Sequence, residues 1–374
     1  SSRLSQVSVM ALTLEQARGL PKVELHAHLS GSIRQEKLIE MLKARGKDEP
    51  FQVFDWRAVM SDPMAKCFDY FDRVAKVVCD LEALRQCTMH VLESFAEENC
   101  IYLELRTSPK KFTLPSGQET SKTDYLYTVK DAVAAFQATA NDRYGFVMEV
   151  KLLLSLDRGK VNCKEDALAQ IDDIVSLSRA SNGFVVGVDV CGNPSTPSVV
   201  PYVVPAMLER KEVFKDFPVT FHTSETVSAE EDAAIVGSIA DLNIRRLGHV
   251  CFLTDSCRDK LLAGGMHADG GKIGIELCPT SNRVTRELAS LDKHHFPMWW
   301  KQSDHILLSI NTDDTGLFSC TLTSEVFDMA SAFRLTAEDV LKIQEEAIES
   351  SFHPDKDRLL HALRSASRDL LGRE

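Results

Sequence analysis

Apolar and polar positions follow two alternating rhythms along this chain. Eight short runs, at 22–29, 101–107, 147–156, 184–190, 219–222, 245–250, 272–277 and 305–311, are β-branched and almost continuously apolar. That is the pattern of strands covered on both faces. Between most of them, apolar residues recur every three to four positions, as helices require, around 123–142, 164–180, after Pro201, and at 229–240 and 255–263. Strands separated by helices predict a parallel sheet, and eight of them predict an α/β fold of the (β/α)8 TIM-barrel type with additional helices. A doubly wound open sheet is the alternative. No Gly-x-Gly-x-x-Gly or Walker-type phosphate loop follows any of the runs, which weighs against it.

One interval breaks the alternation. From 32 to about 99 the pattern stays helical, with Phe68, Phe71, Val74, Ala75 and Val78 along one face. This is too long for a single crossover, so a group of helices is expected as an insertion after the first strand. Residues 1–20 read as a helical lead-in, with Thr13 as N-cap and Pro21 as its end. The tail from 324 reads as helical, and Trp299-Trp300 as a half-buried pair in a helix packed over the barrel. No repeat or linker interrupts the chain, so one domain over 1–374 is expected.

Composition narrows the class. A hydrophobic share of 44% in 374 residues is enough for a substantial core, and no run approaches the length of a membrane span. The formal net charge of −12 disfavours nucleic acid and anionic membrane as partners. It leaves open a small anion held in a locally basic pocket. Ten cysteines are scattered without a Cys-x-x-Cys pair, mostly in apolar surroundings such as those of Cys79 and Cys278. With no secretory pattern near the start, they read as reduced, buried thiols of a cytoplasmic protein, expected to be a monomer.

The chemistry lies at the strand ends. His26 and His28 are two residues apart in the first strand, so both side chains point to the same face. His222 and Glu225 end the fifth strand, His249 the sixth, and Asp313 with Asp314 the eighth. In a barrel all these ends converge on one rim. Three imidazoles and one carboxylate suit a borderline cation such as zinc better than magnesium. His26, His28, His222 and Asp313 are therefore the candidate ligands of one Zn²⁺ per chain. Hydrolysis assisted by such a centre also needs a proton donor and groups that hold the nucleophile. Glu225, His249 and Asp314 are the catalytic candidates.

These residues resemble the adenosine deaminase family of purine deaminases. The matching segments are Leu25-His26-Ala27-His28-Leu29-Ser30-Gly31-Ser32, His222-Thr223-Ser224-Glu225, Gly248-His249 and Asn311-Thr312-Asp313-Asp314, in family order from about 20 to 320. The resemblance implies the barrel, zinc on the four candidate ligands, and Glu225 as proton donor to the purine N1. It further implies that His249 and Asp314 orient the attacking hydroxide, and that the main-chain N–H of Gly192 bonds the purine ring. Within the family, the segments 103–110, 154–158 and 192–194 look like the branch that deaminates N6-methyl-AMP. The expected reaction is then hydrolysis of N6-methyl-AMP to IMP and methylamine.

Position 30 departs from the family: nucleoside deaminases carry Asp there and the nucleotide branch Asn, whereas this chain has Ser30. A hydroxyl can donate to a 5′-phosphate that a carboxylate would repel. Ser30, Thr107, Lys110 and Arg158 are the candidate phosphate contacts, with His28 and Asp157 as further substrate contacts. Thr223-Ser224 also departs, since smaller residues are usual before the glutamate, which bears on the room around the 6-substituent. Alternatives are deamination of free adenosine to inosine and ammonia, a broader metal-dependent amidohydrolase, or a non-catalytic purine-binding barrel. The strand ends at Asp157 and Cys191 offer no lysine to bridge two metals, against the second of these. Retention of every ligand and of Glu225 speaks against the third.

Overall fold

The computed structural model describes residues 12–46, 51, 53–57, 62–267, 269–300, 302 and 304–368. Eight strands form one sheet in chain order: β1 (Lys22–His28), β2 (Cys100–Thr107), β3 (Glu149–Asp157), β4 (Val185–Cys191), β5 (Val219–Thr223), β6 (Ile244–His249), β7 (Ile273–Leu277) and β8 (Ile306–Ile310). Every neighbouring pair is parallel. Past the end of β8 the sheet returns to β1: the Asp313 N–H donates to the His26 carbonyl at 2.9 Å, and the His28 N–H to the Asp313 carbonyl at 3.0 Å. Lower on that seam, side chains replace ladder bonds. Asn311 Oδ1 accepts from the Leu25 N–H at 3.0 Å, and Gln344 Oε1 from the Val23 N–H at 2.7 Å. The result is the expected barrel, nearly closed.

Among the described residues, the insertion after β1 holds helices Gln35–Ala44, Pro63–Val77 and Leu81–Glu97. Local chemistry sets their starts: Pro63 occupies the first turn of the second, and the Asp80 carboxylate caps the third by accepting from the Ala83 N–H at 2.7 Å. Thr13 caps a short helix, Leu14–Gly19, through a capping box. The remainder of the expected lead-in, 1–11, lies outside the described residues. Helices Ala337–Ser350 and Lys356–Ser367 bury Ala347, Ile348, Leu359 and Leu363 against Val23 and Leu25 of β1 and Tyr102 of β2. A register shift lies between Glu24 and Ala27, and past it His28, paired with Arg106, faces the interior together with His26.

That interior is charged. Glu104, Arg106, Asp189, Arg246 and Glu276 are all fully buried. Arg106 on β2 pairs with Asp189 on β4 at 3.0 Å and with Glu276 on β7 at 2.6 Å. Arg246 on β6 pairs with Glu276 and with Glu104 on β2. Apart from Arg246–Glu276, which joins the adjacent β6 and β7, these pairs connect strands that are not neighbours and so span the lumen. Such pairs add little net stability, but removing one partner leaves an unpaired buried charge and costs about 3–5 kcal/mol.

Two details differ from the sequence reading. Trp299, in the short helix Phe296–Trp300, is fully buried, while Trp300 is half-buried and stacks on Phe296. Cys79 is exposed because it follows the C-terminal end of helix Pro63–Val77, where the chain turns at the surface. All ten thiols are unpaired and seven are buried.

Candidate active site

The upper rim of the barrel brings together side chains from β1, β5, β6 and the segment after β8. The Nε2 atom of His222 lies 3.1 Å from Nε2 of His26 and 3.1 Å from Nε2 of His28. Asp313 Oδ1 is 3.6 Å from His26 Nε2 and 3.5 Å from His28 Nε2. The outer nitrogens explain this convergence. His26 Nδ1 bonds Glu276 Oε2 at 2.7 Å, and His222 Nδ1 bonds the Val190 carbonyl at 3.0 Å, with Asp189 at 3.2 Å. Both Nδ1 atoms face acceptors and carry the protons, so both Nε2 lone pairs point at one another. A proton on His222 could serve only one of its two neighbours. A cation between the four groups satisfies all of them.

Protonation of two of the three imidazoles agrees with that reading. Burial pushes His26 well below the usual imidazole range, with Arg106 adding to it, and brings His28 down to about 4. Both are neutral, as ligands must be. In His222 the lowering effect of burial is outweighed by Asp189, which draws its pKa up. Burial would raise Glu276, but Arg106 and Arg246 outweigh it and hold the carboxyl down at about 2. The charged interior thus orients the imidazoles. A second grouping, His26, His249, Cys278 and Asp313, shares two members. In it Asn282 occupies His249 Nδ1, and burial among carboxylates holds the Cys278 thiol neutral.

Backbone strain accompanies the geometry. Ser224, His249, Val250 and Asp313 have positive φ of 55°, 63°, 47° and 61°. Each such residue costs on the order of 1–3 kcal/mol and persists only where its surroundings hold it. Two glycines are required by contact. A Cβ at Gly31 would sit 1.6 Å from Asp314 Oδ1, and one at Gly248 would sit 2.9 Å from His26 Cε1.

Above the cluster is a cavity of about 510 Å³. Ser30, Thr107, Lys110, Asp157, Gly192, Glu225, His249, Asp313 and Asp314 line it, together with His28 and His222. Three buried atoms on its wall have no hydrogen-bond partner among the described residues: Glu225 Oε2, His249 Nε2 and Asp314 Oδ1. Glu225 Oε1 is 3.7 Å from His249 Nε2. Gly192, at φ 107°, is packed so closely against Asp157 and Arg158 that a Cβ would lie 2.3 Å from Asp157 Oδ1. Asp157 accepts from the Gly159 N–H at 3.0 Å and pairs with Lys160 at 2.9 Å.

The expected phosphate contacts are scattered. Ser30 is exposed at the mouth, Thr107 Oγ1 is bonded to the Tyr125 hydroxyl at 2.6 Å, and Lys110 Nζ donates to the Val78 carbonyl at 3.2 Å. Arg158 sits elsewhere: its guanidinium, 1% exposed, lies beneath Glu225 at 3.6 Å, pairs with Glu231 at 2.6 Å and donates to the Gly192 carbonyl. It follows β3 directly, where the chain turns back under the next loop, so it supports Glu225 and does not reach the mouth. Ser224 is also turned away, donating to Asp232 at 2.6 Å. The sequence reading omitted Arg106, Asp189 and Glu276, although charges inside apolar strands signal buried partners. It also omitted Asn282, His294 and His295, which lie behind His249 and carried no spacing signal.

A parallel eight-stranded barrel with this polar rim defines a hydrolase of the metal-dependent deaminase class. The chain belongs to the adenosine deaminase family, whose model matches residues 21–365. It is 30% identical to the N6-mAMP deaminase of Arabidopsis thaliana over 95% of this chain and 99% of that one. It is likewise 30% identical to the N6-Methyl-AMP deaminase of Danio rerio, over 91% and 94%. Its fold superimposes on the crystal structure of Arabidopsis ADAL complexed with IMP with a TM-score of 0.78, at 30% identity, covering 95% of this chain and 99% of that one. No helix among the described residues is long and apolar enough to cross a membrane.

Proposed function

We propose that this enzyme hydrolyses N6-methyl-AMP to IMP and methylamine, using one zinc ion held by His26, His28, His222 and Asp313. The observation that carries the reading is the set of three buried atoms without hydrogen-bond partners, Glu225 Oε2, His249 Nε2 and Asp314 Oδ1, on residues that line one cavity above the imidazole cluster. A cation in that cluster would supply Lewis acidity and a water acidic enough to attack near neutral pH.

The chain's own groups then act on the purine. The main-chain N–H of Gly192 holds the ring edge, and Glu225 gives a proton to N1, which makes C6 electrophilic. His249 and Asp314 orient the water whose oxygen adds to C6. As that oxygen becomes the C6 carbonyl, one of the water's two protons passes to N6, the C6–N6 bond breaks and methylamine leaves, while the other proton restores Glu225. Arg158 is balanced by Glu231, so it steadies Glu225 without a free charge facing the substrate. Phe68, Phe71, Val74 and Ala75 cover the purine and its methyl group, with Ser30, Thr107 and Lys110 nearest the phosphate. The reading is supported by the nucleotide-deaminating relatives. We also propose a monomer, since one chain supplies the whole site, and a cytoplasmic location, which ten unpaired thiols fit.

The test is kcat/KM for N6-methyl-AMP, AMP and adenosine on zinc-loaded protein, followed by purine absorbance. Turnover of N6-methyl-AMP at least about a hundredfold above adenosine supports the assignment. Preference for adenosine would overturn it.

A further inference from the structure

Three hydrogen bonds behind His249, each forced by the one before, decide which ring nitrogen carries its proton. The Phe296 N–H donates to His294 Nδ1 at 3.1 Å, so the His294 proton is on Nε2. That Nε2–H faces Asn282 Oδ1 at 3.1 Å, and the Cys278 N–H donates to the same oxygen at 3.3 Å. With its oxygen taken by two donors, the Asn282 amide must present its nitrogen to His249 Nδ1, 3.0 Å away. His249 Nδ1 therefore accepts, and its proton is on Nε2, the unpartnered atom facing the cavity.

Asn282, His294 and His249 are all buried, so water cannot substitute for these partners. A second arm holds the backbone: His295 Nε2 bonds the His249 carbonyl at 2.8 Å, and Arg286 bonds His295 Nδ1 at 3.0 Å. Nδ1 of each ring accepts an N–H and so carries no proton, which leaves each ring a single proton on Nε2.

We propose that Asn282, held by His294, is a positioning residue that locks His249 as the neutral Nε2–H tautomer, making it a hydrogen-bond donor to the attacking oxygen. His249 then cannot accept a proton on the atom that faces the substrate. A change of partner at Nδ1 should alter the chemical step and leave binding nearly untouched. This rests on the deaminase reading above for its kinetic arm only.

The experiment uses full-length, zinc-loaded protein labelled with ¹⁵N-histidine, with the His249 signals assigned by their loss in His249→Gln. Wild type should show a protonated Nε2 and a bare Nδ1 at His249. In Asn282→Asp a carboxylate of the same shape accepts where the amide donated, so the proton should move to Nδ1. With it, kcat should fall about a hundredfold while KM stays within about threefold. His294→Gln keeps a donor toward Asn282 and should retain wild-type kcat within about threefold, whereas His294→Leu should lose about tenfold or more. An Nδ1–H signal or a doubly protonated ring at His249 in wild type overturns the proposal. So does a flipped tautomer in Asn282→Asp with kcat preserved. If that variant does not fold, equal kcat in His294→Gln and His294→Leu overturns it instead. Absence of turnover with every purine would sink the functional reading, and the nitrogen signals would still decide the tautomer.

Discussion

The floor of the cavity is made of strand ends whose polar atoms almost all have named partners, whereas its roof is a helix. Pro63–Val77 presents Met64, Cys67, Phe68, Phe71, Val74 and Ala75 to the same space. On the floor, directional bonds determine each side chain: Glu276 aims His26, Val190 and Asp189 aim His222, and Asn282 aims His249. Left-handed backbone at Ser224, His249, Val250 and Asp313 is the cost of that aim. Apart from Asp69 and Asp72 on the same helix, the roof's contacts are apolar and non-directional, so neighbouring side chains can adjust to a lost methylene. The difference teaches that chemistry and substrate choice are separable here. The floor sets the rate of the chemical step, and the roof sets which 6-substituent is covered.

The sharpest way to break the comparison is on the floor. Gly31→Ala places a methyl where Asp314 Oδ1 stands, 1.6 Å away, so Asp314 must swing out. A fall in kcat of about a hundredfold with metal content unchanged is expected, checked by kinetics beside elemental analysis. Unchanged kcat would show that the floor tolerates displacement. A weaker effect is expected on the roof. Phe71→Ala removes a half-buried ring and should lower kcat/KM for the methylamino substrate by about tenfold, with AMP affected less. An equal loss for both would mean that the roof does not discriminate between them.

The smallest effect concerns the support behind the floor. Glu325 in helix Leu322–Phe333 accepts from the Thr280 N–H at 2.9 Å and from the Thr280 hydroxyl, and so holds the turn that carries Asn282. Burial raises its carboxyl to about 7, against the lowering effect of those bonds. The folded state therefore binds this proton more tightly than the unfolded chain does. Its contribution is full below about pH 4.5 and is lost as pH rises to about 7, on the order of 3 kcal/mol at most. Glu325→Gln should flatten that slope and leave kcat within about twofold, as denaturant titrations at pH 5 and pH 8 would record. A slope retained in the variant would assign it to other groups.

Much of this was legible in the chain itself. The eight apolar runs and the helical interval after the first are short-range patterns, and His26 and His28 share a face because strand side chains alternate. Less legible was the traffic across the lumen. Arg106 meets Glu276, and Arg158 lies under Glu225, only because the sheet curves round and brings non-neighbouring strands together. A charge in an apolar strand announces a buried partner without saying which one. Thus the alternation of apolar and polar residues by itself determined the barrel, the rim that carries the chemistry and the residue types gathered there, since each depends on spacing of a few residues. Only the tertiary structure decided the pairing of the interior charges, the tautomer of His249 and the helix that roofs the cavity. Those follow from tertiary packing, which brings residues from about 30 to 170 positions apart to bonding distance.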